Sequence, residues 1–149
     1  MESPEVNLVS SHLVACYRDS CELYQEGSWQ HLQNTRATRR YHSSATTEDA
    51  ILLIGGIDSR TTEWIPLDGS PAQEGPFTVR HGREHCTIQL SDDVIVVTGG
   101  GSPLTEDFVT QYHLSDGTET PLTSMGQPRS GHACGAYHDI GGQQVSKSI

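Results

Sequence analysis

Histidine and cysteine are the residues of this sequence with the greatest capacity for chemistry, at eight and four among 149 residues. Zinc sites use ligands set close together in the sequence. His81 and His85 are four residues apart, a spacing at which both side chains reach one ion only on a helix. The residues around them are typical of a turn that enters a strand. We therefore predict no metal site and no cofactor.

Catalytic patterns based on a nucleophile or on paired carboxylates are equally weak. The sequence has no Gly-x-Ser-x-Gly elbow of the kind that exposes a nucleophilic serine. Asp92-Asp93 and Glu106-Asp107 fall in turn-like segments, where carboxylates are normally solvated. Gly99–Ser102 lacks the lysine of a phosphate-binding loop. We predict that the chain is not an enzyme.

The charge of the chain also limits its partners. Its formal net charge is −10, with nine lysines and arginines, which argues against a nucleic-acid or anionic-membrane partner because both require a basic face. The one basic cluster, Arg36, Arg39 and Arg40, is expected in a solvated loop before a strand. No apolar run approaches the roughly 20 residues of a membrane span, and the first residues do not have the pattern of a secretory signal. A cytoplasmic location is slightly favoured over secretion.

The cysteines leave two alternatives open. Cys16 and Cys21 are five residues apart and would close a small loop in an oxidising compartment. Free thiols at these positions would instead favour an intracellular protein. Cys86 and Cys134 follow a histidine by one and two residues on predicted strands, where buried thiols are expected.

A repeated pattern of strands would position these residues. His42 is followed by the apolar run Ala50–Ile54 and two glycines, and His85 is followed in the same way by Val94–Thr98 and two glycines. The second copy follows the first by 43 residues at the histidine and by 44 at the glycines. A period in the forties is typical of repeat proteins that build one small sheet per unit.

Each copy continues with a strand of alternating pattern that ends in an Asp-Gly turn. These strands are Thr62–Leu67 and Val109–Leu114, with Trp64 and Tyr112 predicted at equivalent positions. Pro66 has no N–H to donate, so its strand is expected at a sheet edge or at a bulge. No segment has helical periodicity, which predicts an all-β protein.

A third copy begins but does not finish. Arg129–Gly135 matches Arg39–Ala45, yet Gly141-Gly142 follows His132 by only 9 residues, against 13 and 14 in the first two copies. We therefore interpret Gly141-Gly142 as a hairpin turn before a strand that would begin at Val145. The third unit is predicted to be truncated.

Together these motifs resemble the kelch repeat of β-propellers, with Tyr24 and Trp29 resembling the last strand of an earlier blade. The sequence departs from the family pattern at Ser70 and Thr118, where a tryptophan is expected, and at Gly82, where arginine is expected. The resemblance implies four-stranded antiparallel blades whose large aromatic residues, including Trp29, fill the space between neighbouring blades. Propellers have 4 to 8 blades of about 50 residues each, so this chain is expected to be an unclosed fragment of a longer propeller.

The predicted organisation has six parts. They are a poorly defined segment 1–13, a partial blade 14–38, blades 39–81 and 82–128, a truncated blade 129–145 and a tail 146–149. The repeat motif consists of His42, Gly55, Gly56, Trp64, His85, Gly99, Gly100, Tyr112 and His132.

Protein–protein recognition through the blade loops is the function that the resemblance implies. The candidate surface comprises the loops 57–61 and 101–107 and the connection 68–76, with Asp58, Arg60, Ser102, Glu106 and Asp107 as candidate partner-binding residues. The partner is not specified, and self-association through open blade edges is a further expectation. Two alternatives stay open: an extracellular glycan-binding or copper-oxidase-like catalytic propeller, and a truncated product without independent function.

Overall fold

The computed structural model describes residues 13–57, 59–80, 82–101 and 104–137. In these residues the chain forms ten β-strands and no helix. All strand pairs are antiparallel, and the strands form one two-stranded and two four-stranded sheets, none closed into a barrel. The predicted all-β, unclosed propeller-like class is confirmed.

Each sheet consists of strands that are consecutive in the chain. The N-terminal hairpin contains β1 (Leu13–Gln25) and β2 (Ser28–Arg39). The first sheet contains β3 (Ser43–Thr46), β4 (Ala50–Ile54), β5 (Thr61–Pro66) and β6 (Gln73–Thr78). The second sheet contains β7 (Cys86–Gln89), β8 (Val94–Thr98), β9 (Val109–His113) and β10 (Glu119–Leu122).

The first sheet lies between the N-terminal hairpin and the second sheet. Leu52 and Ile54 belong to an apolar cluster with Ile95 and other residues of the second sheet, whereas Leu53 belongs to a cluster with Cys21 of the hairpin. Successive side chains of a strand point to opposite faces, so the apolar run of β4 is buried on both sides. An apolar run that is bulky on both faces is typical of such an inner strand.

Trp64 and Tyr112 are not equivalent, contrary to the sequence prediction. Trp64 pairs with Leu52, three residues before its diglycine, whereas Tyr112 pairs with Ile95, four residues before its own. A shift of one residue moves a side chain to the other face of a sheet. The two aromatic residues therefore approach the same junction between the sheets from opposite sides, where Tyr112 is fully buried and stacks on Phe77 with ring centroids 4.2 Å apart.

Two predictions about individual residues are wrong. Pro66 lies at the end of β5, an inner strand, and the irregularity of that strand falls between Thr61 and Glu63 instead. Trp29 does not fill the space between sheets, because it faces Tyr24 across the turn of the N-terminal hairpin and is 49% exposed. The segment with Tyr24 and Trp29, which was predicted as the last strand of an earlier blade, instead belongs to a two-stranded hairpin.

Arg39 is buried, whereas the sequence predicted it in a solvated loop. Its Nε donates to Oε1 of Glu63 at 2.6 Å, and both side chains are 1% exposed. It also donates to the backbone oxygens of Gly55 at 2.9 Å and Thr61 at 2.7 Å. A buried guanidinium requires such partners, and these connect the N-terminal hairpin to the first sheet and to the loop after its diglycine.

Candidate functional site

The residues that precede the three histidines of the repeat motif are Tyr41, Glu84 and Gly131. Backbone hydrogen bonds join them from one unit to the next. The N–H of Glu84 donates to the oxygen of Tyr41 at 2.9 Å, and the N–H of Gly131 donates to the oxygen of Glu84 at 2.8 Å. All three residues have positive φ, of 55°, 60° and 60°. Such a conformation is uncommon for residues other than glycine, so its recurrence indicates that the surrounding contacts impose it.

Each histidine of the second and third units lies against the first glycine of the preceding diglycine. A Cβ on Gly55 would lie 2.8 Å from Cε1 of His85, and one on Gly99 would lie 2.6 Å from Cε1 of His132. The ring nitrogen Nε2 of His85 is 2.7 Å from Oγ of Ser43. The first glycine of each diglycine therefore leaves the space that the histidine ring of the next unit occupies. We call this space the histidine socket.

Within the described ranges, His85 is the histidine of the repeat motif whose ring contacts a loop backbone. Nδ1 of His85 is 3.0 Å from the oxygen of Gly82. His132 instead uses Nε2, which is 2.8 Å from Oγ1 of Thr98. Within the described ranges, Nδ1 of His42 and Nδ1 of His132 are buried without a hydrogen-bond partner. Burial lowers the pKa of both rings, so the neutral imidazole is favoured.

Cys86 and Cys134 form a disulfide, whereas buried thiols were predicted. The bond lies at a position that repeats between units, because Ser43 and Thr87 are the equivalent pair between the first two units and their hydroxyls are 2.5 Å apart. The start of the third unit is therefore joined covalently to the second sheet. The predicted turn at Gly141-Gly142 and the strand from Val145 lie outside the described residues.

The second disulfide joins Cys16 to Cys21 within β1. Of the two alternatives that the sequence left open for this pair, the structure adopts the bonded one. Cys21 is fully buried against the first sheet.

We expect Gly99→Ala to reduce the free energy of unfolding by at least about 1 kcal/mol, because Gly99 has a φ of +61° and a Cβ there would overlap the backbone oxygen of Arg129. Gly69→Ala is the matched control, since Gly69 has a φ of +83° but nothing within 4 Å of its Cβ position. Urea unfolding followed by circular dichroism compares the two variants. Equal losses would show that the histidine socket adds nothing to the backbone cost.

The predicted loop residues that the structure describes come together at one end of the two large sheets. Arg60 follows the first diglycine, and Glu106 and Asp107 follow the second. Arg60 and Arg80 both lie close enough to Glu106 to affect its ionisation: burial raises the pKa of Glu106, and the two guanidinium groups partly oppose that effect. Asp58 and Ser102 lie outside the described residues.

Arg80 and Phe108 complete this group, and sequence reasoning did not identify either. The guanidinium carbon of Arg80 lies 5.8 Å from the centroid of the Phe108 ring, and Phe108 is 42% exposed. We call the group of Arg60, Arg80, Glu106, Asp107 and Phe108 the loop edge. An apolar residue next to two acidic ones in a predicted loop was the only signal for Phe108.

The backbone of the loop edge is held in place by the start of the third unit and by the segment just before it. The N–H of Arg129 donates to the oxygen of Glu106 at 2.9 Å, and the N–H of Met125 donates to the oxygen of Asp107 at 2.9 Å. Oε2 of Glu106 is buried and has no hydrogen-bond partner in the described part of the chain.

Neither a metal cluster nor a membrane span is formed by the residues that the structure describes. Among them, no group of three or more His, Cys, Asp and Glu side chains is placed to hold an ion. No helix in the same ranges is long and apolar enough to cross a bilayer. Comparison with models of known protein families and with curated proteins finds no match to the chain.

Proposed function

We propose that this chain is a kelch-like repeat module that recognises a protein partner through the loop edge. The observation that carries the proposal is that Arg60 and Glu106, from loops of two different sheets, lie close enough to interact electrostatically. Loops held by rigid sheets are the usual place for recognition in β-proteins.

The composition of the loop edge supports a protein ligand. Arginine and aromatic residues are enriched among the residues that dominate binding energy in protein interfaces, and Arg80 over the exposed ring of Phe108 is such a pair. The two acidic residues give the same surface the means to pair with cations of a partner. The partner is expected to present an apolar group flanked by both signs of charge.

Changing the loop edge is expected to remove the partner without unfolding the chain. Phe108→Ala and Arg60→Glu should each reduce partner retention about tenfold, since residues central to an interface typically contribute more than 1 kcal/mol. Affinity enrichment from a cell lysate with quantitative mass spectrometry measures the proteins retained by each variant. Asp92→Lys, an exposed change in the turn between β7 and β8, is the control. A set of bound proteins that is the same for all variants would contradict the proposal.

An extracellular propeller is the second candidate, and the two disulfides favour it. Disulfides persist in oxidising compartments and are rare in the cytosol, so they oppose the slight preference for a cytoplasmic location. Alkylation of the chain as isolated from its own cells, followed by mass measurement, distinguishes the two locations. Four unreactive cysteines would support the extracellular candidate, and four alkylated thiols would contradict it.

A further inference from the structure

A cavity of about 780 Å³ opens at the end of the first sheet that lies opposite the loop edge. It is formed where β4 begins and β5 ends, whereas Gly55 and Arg60 lie at the other end of these two strands. Its volume is within the roughly 300–1,000 Å³ of small-molecule pockets. The turn 47–49 and the connection 67–73 supply most of its wall.

The walls of this cavity combine apolar surface with negative charge. Trp64, Pro66 and Leu67 provide aromatic and aliphatic surface, and the carboxylates belong to Glu48, Asp49 and Asp68. No lysine, arginine or histidine is among the residues that line it. Hydrogen bonds from Ser70 lower the pKa of Asp68, so this carboxylate stays charged at neutral pH.

The carboxylate of Asp49 accepts a hydrogen bond from Oγ1 of Thr47 at 3.1 Å, and the second sheet shows a different partner at the equivalent position. Asp93 is the equivalent of Asp49, because the backbone oxygen of each accepts a hydrogen bond from a leucine N–H: Leu114, which follows β9, at 2.7 Å and Leu67, which follows β5, at 2.9 Å. In the second sheet Oδ2 of Asp93 is 2.9 Å from Nδ1 of His113.

The first sheet has no equivalent of that imidazole. Pro66 occupies the position of His113, since the two residues pair with the equivalent strand residues Ala50 and Val94. Proline has no side-chain donor. The imidazole beside Asp93 in one sheet is thus replaced by an open cavity beside Asp49 in the other.

We infer that the cavity is a binding site for a lysine or arginine side chain of a partner segment. The aliphatic stem of such a side chain packs on apolar walls while its charged head reaches polar groups. Its cation is attracted by the face of an aromatic ring such as Trp64 and forms charge-assisted hydrogen bonds with carboxylates. The site is separate from the loop edge, and its existence does not depend on the proposed function.

Charge complementarity favours a cationic ligand over a neutral sugar. Three carboxylates without a basic residue in the same wall create a negative potential that a neutral ligand leaves uncompensated. The net charge of −10 adds to this potential over a longer range. An inorganic cation is disfavoured, because no group of acidic or histidine side chains in the described ranges is arranged around a single ion.

The test uses the fluorescence of Trp64, isolated by the change Trp29→Phe, since the chain has two tryptophans. An acetylated pentapeptide with a central arginine is titrated into this variant, and the same peptide with citrulline, a neutral isostere, is the comparison. We expect a saturable change with the arginine peptide, binding at least about tenfold weaker with citrulline, and a loss of affinity as salt is raised.

Matched variants then locate the site. Glu48→Gln and Asp68→Asn should each weaken binding of the arginine peptide about tenfold. Asp116→Asn is the control: the N–H of Thr118 donates to Asp116 at 2.8 Å, as Ser70 donates to Asp68 at 2.8 Å, but Asp116 does not line the cavity. Circular dichroism verifies that each variant is folded.

Three results would overturn the inference. They are equal binding of the citrulline peptide, saturable binding of a neutral oligosaccharide in place of the arginine peptide, and no fluorescence change with the arginine peptide in the folded Trp29→Phe protein. None of these results bears on the loop edge, because the residues of that surface are unchanged in every variant used.

Discussion

Arg39→Met is expected to reduce the free energy of unfolding by about 3–5 kcal/mol, because it leaves the carboxylate of Glu63 buried without its cation. The total stability of a domain is typically about 5–15 kcal/mol, so this variant should be close to unfolding. Urea unfolding followed by circular dichroism measures the loss. Arg36→Met is the matched control: Arg36 is exposed and only its backbone N–H contacts Glu63, so its loss should stay within about 0.5 kcal/mol.

A double variant separates the ion pair from simple packing. In Arg39→Met combined with Glu63→Leu no charge is left buried, so the protein should be more stable than Arg39→Met alone. The difference in stability between the single and the double variant therefore measures the cost of burying the unpaired carboxylate of Glu63. If Arg39→Met loses no more stability than Arg36→Met, the buried pair does not join the N-terminal hairpin to the first sheet as described.

Removing the disulfide between the second sheet and the third unit is the second large effect that we expect. Cys86→Ser with Cys134→Ser opens a loop of 48 residues, and the loss of loop-closure entropy corresponds to about 4 kcal/mol. The same change at Cys16 and Cys21 opens a loop of 5 residues and should cost about 2 kcal/mol. Urea unfolding without reductant compares the two double-serine variants.

Hydrogen exchange gives an independent reading of the first of these variants. The N–H groups of Gly100 and Gly131 donate across the junction of the third unit, to Arg129 and Glu84 respectively, at 2.8 Å each. Both should lose protection when the disulfide is removed. A larger loss of stability for the Cys16 and Cys21 variant, with the two glycine amides still protected, would show that the third unit is held by other contacts.

The parts of the fold that the sequence predicted correctly are those with local causes. Turn residues and glycines act within a few positions of the chain, so the turns between strands were foreseeable, whereas four strands per unit were implied by the resemblance to the kelch repeat. An apolar run of five residues bounded by such turns indicates an inner strand. Register was harder, because a shift of one residue separates Trp64 from the position of Tyr112.

The loop edge could be predicted only in part. Loop position alone indicated Arg60, Glu106 and Asp107, and the structure places Arg60 and Arg80, which follow strands of the first sheet, close enough to Glu106 of the second sheet's loop to affect its ionisation. Arg80 and Phe108 depend on how the second sheet packs on the first, which no local pattern encodes. The acidic cavity could not be predicted, because it depends on strand register, which places His113 beside Asp93 but Pro66 near Asp49.

The sequence by itself therefore determined that this protein is built from repeated small sheets, with a histidine, an apolar strand and two glycines in each complete unit. Only the tertiary structure decided which distant residues meet: Arg39 with Glu63, and Cys86 with Cys134. Turns and strands arise from backbone preferences and apolar burial within a short segment. The pairing of charges and thiols depends on the three-dimensional stacking of the sheets, which brings together side chains 24 and 48 residues apart.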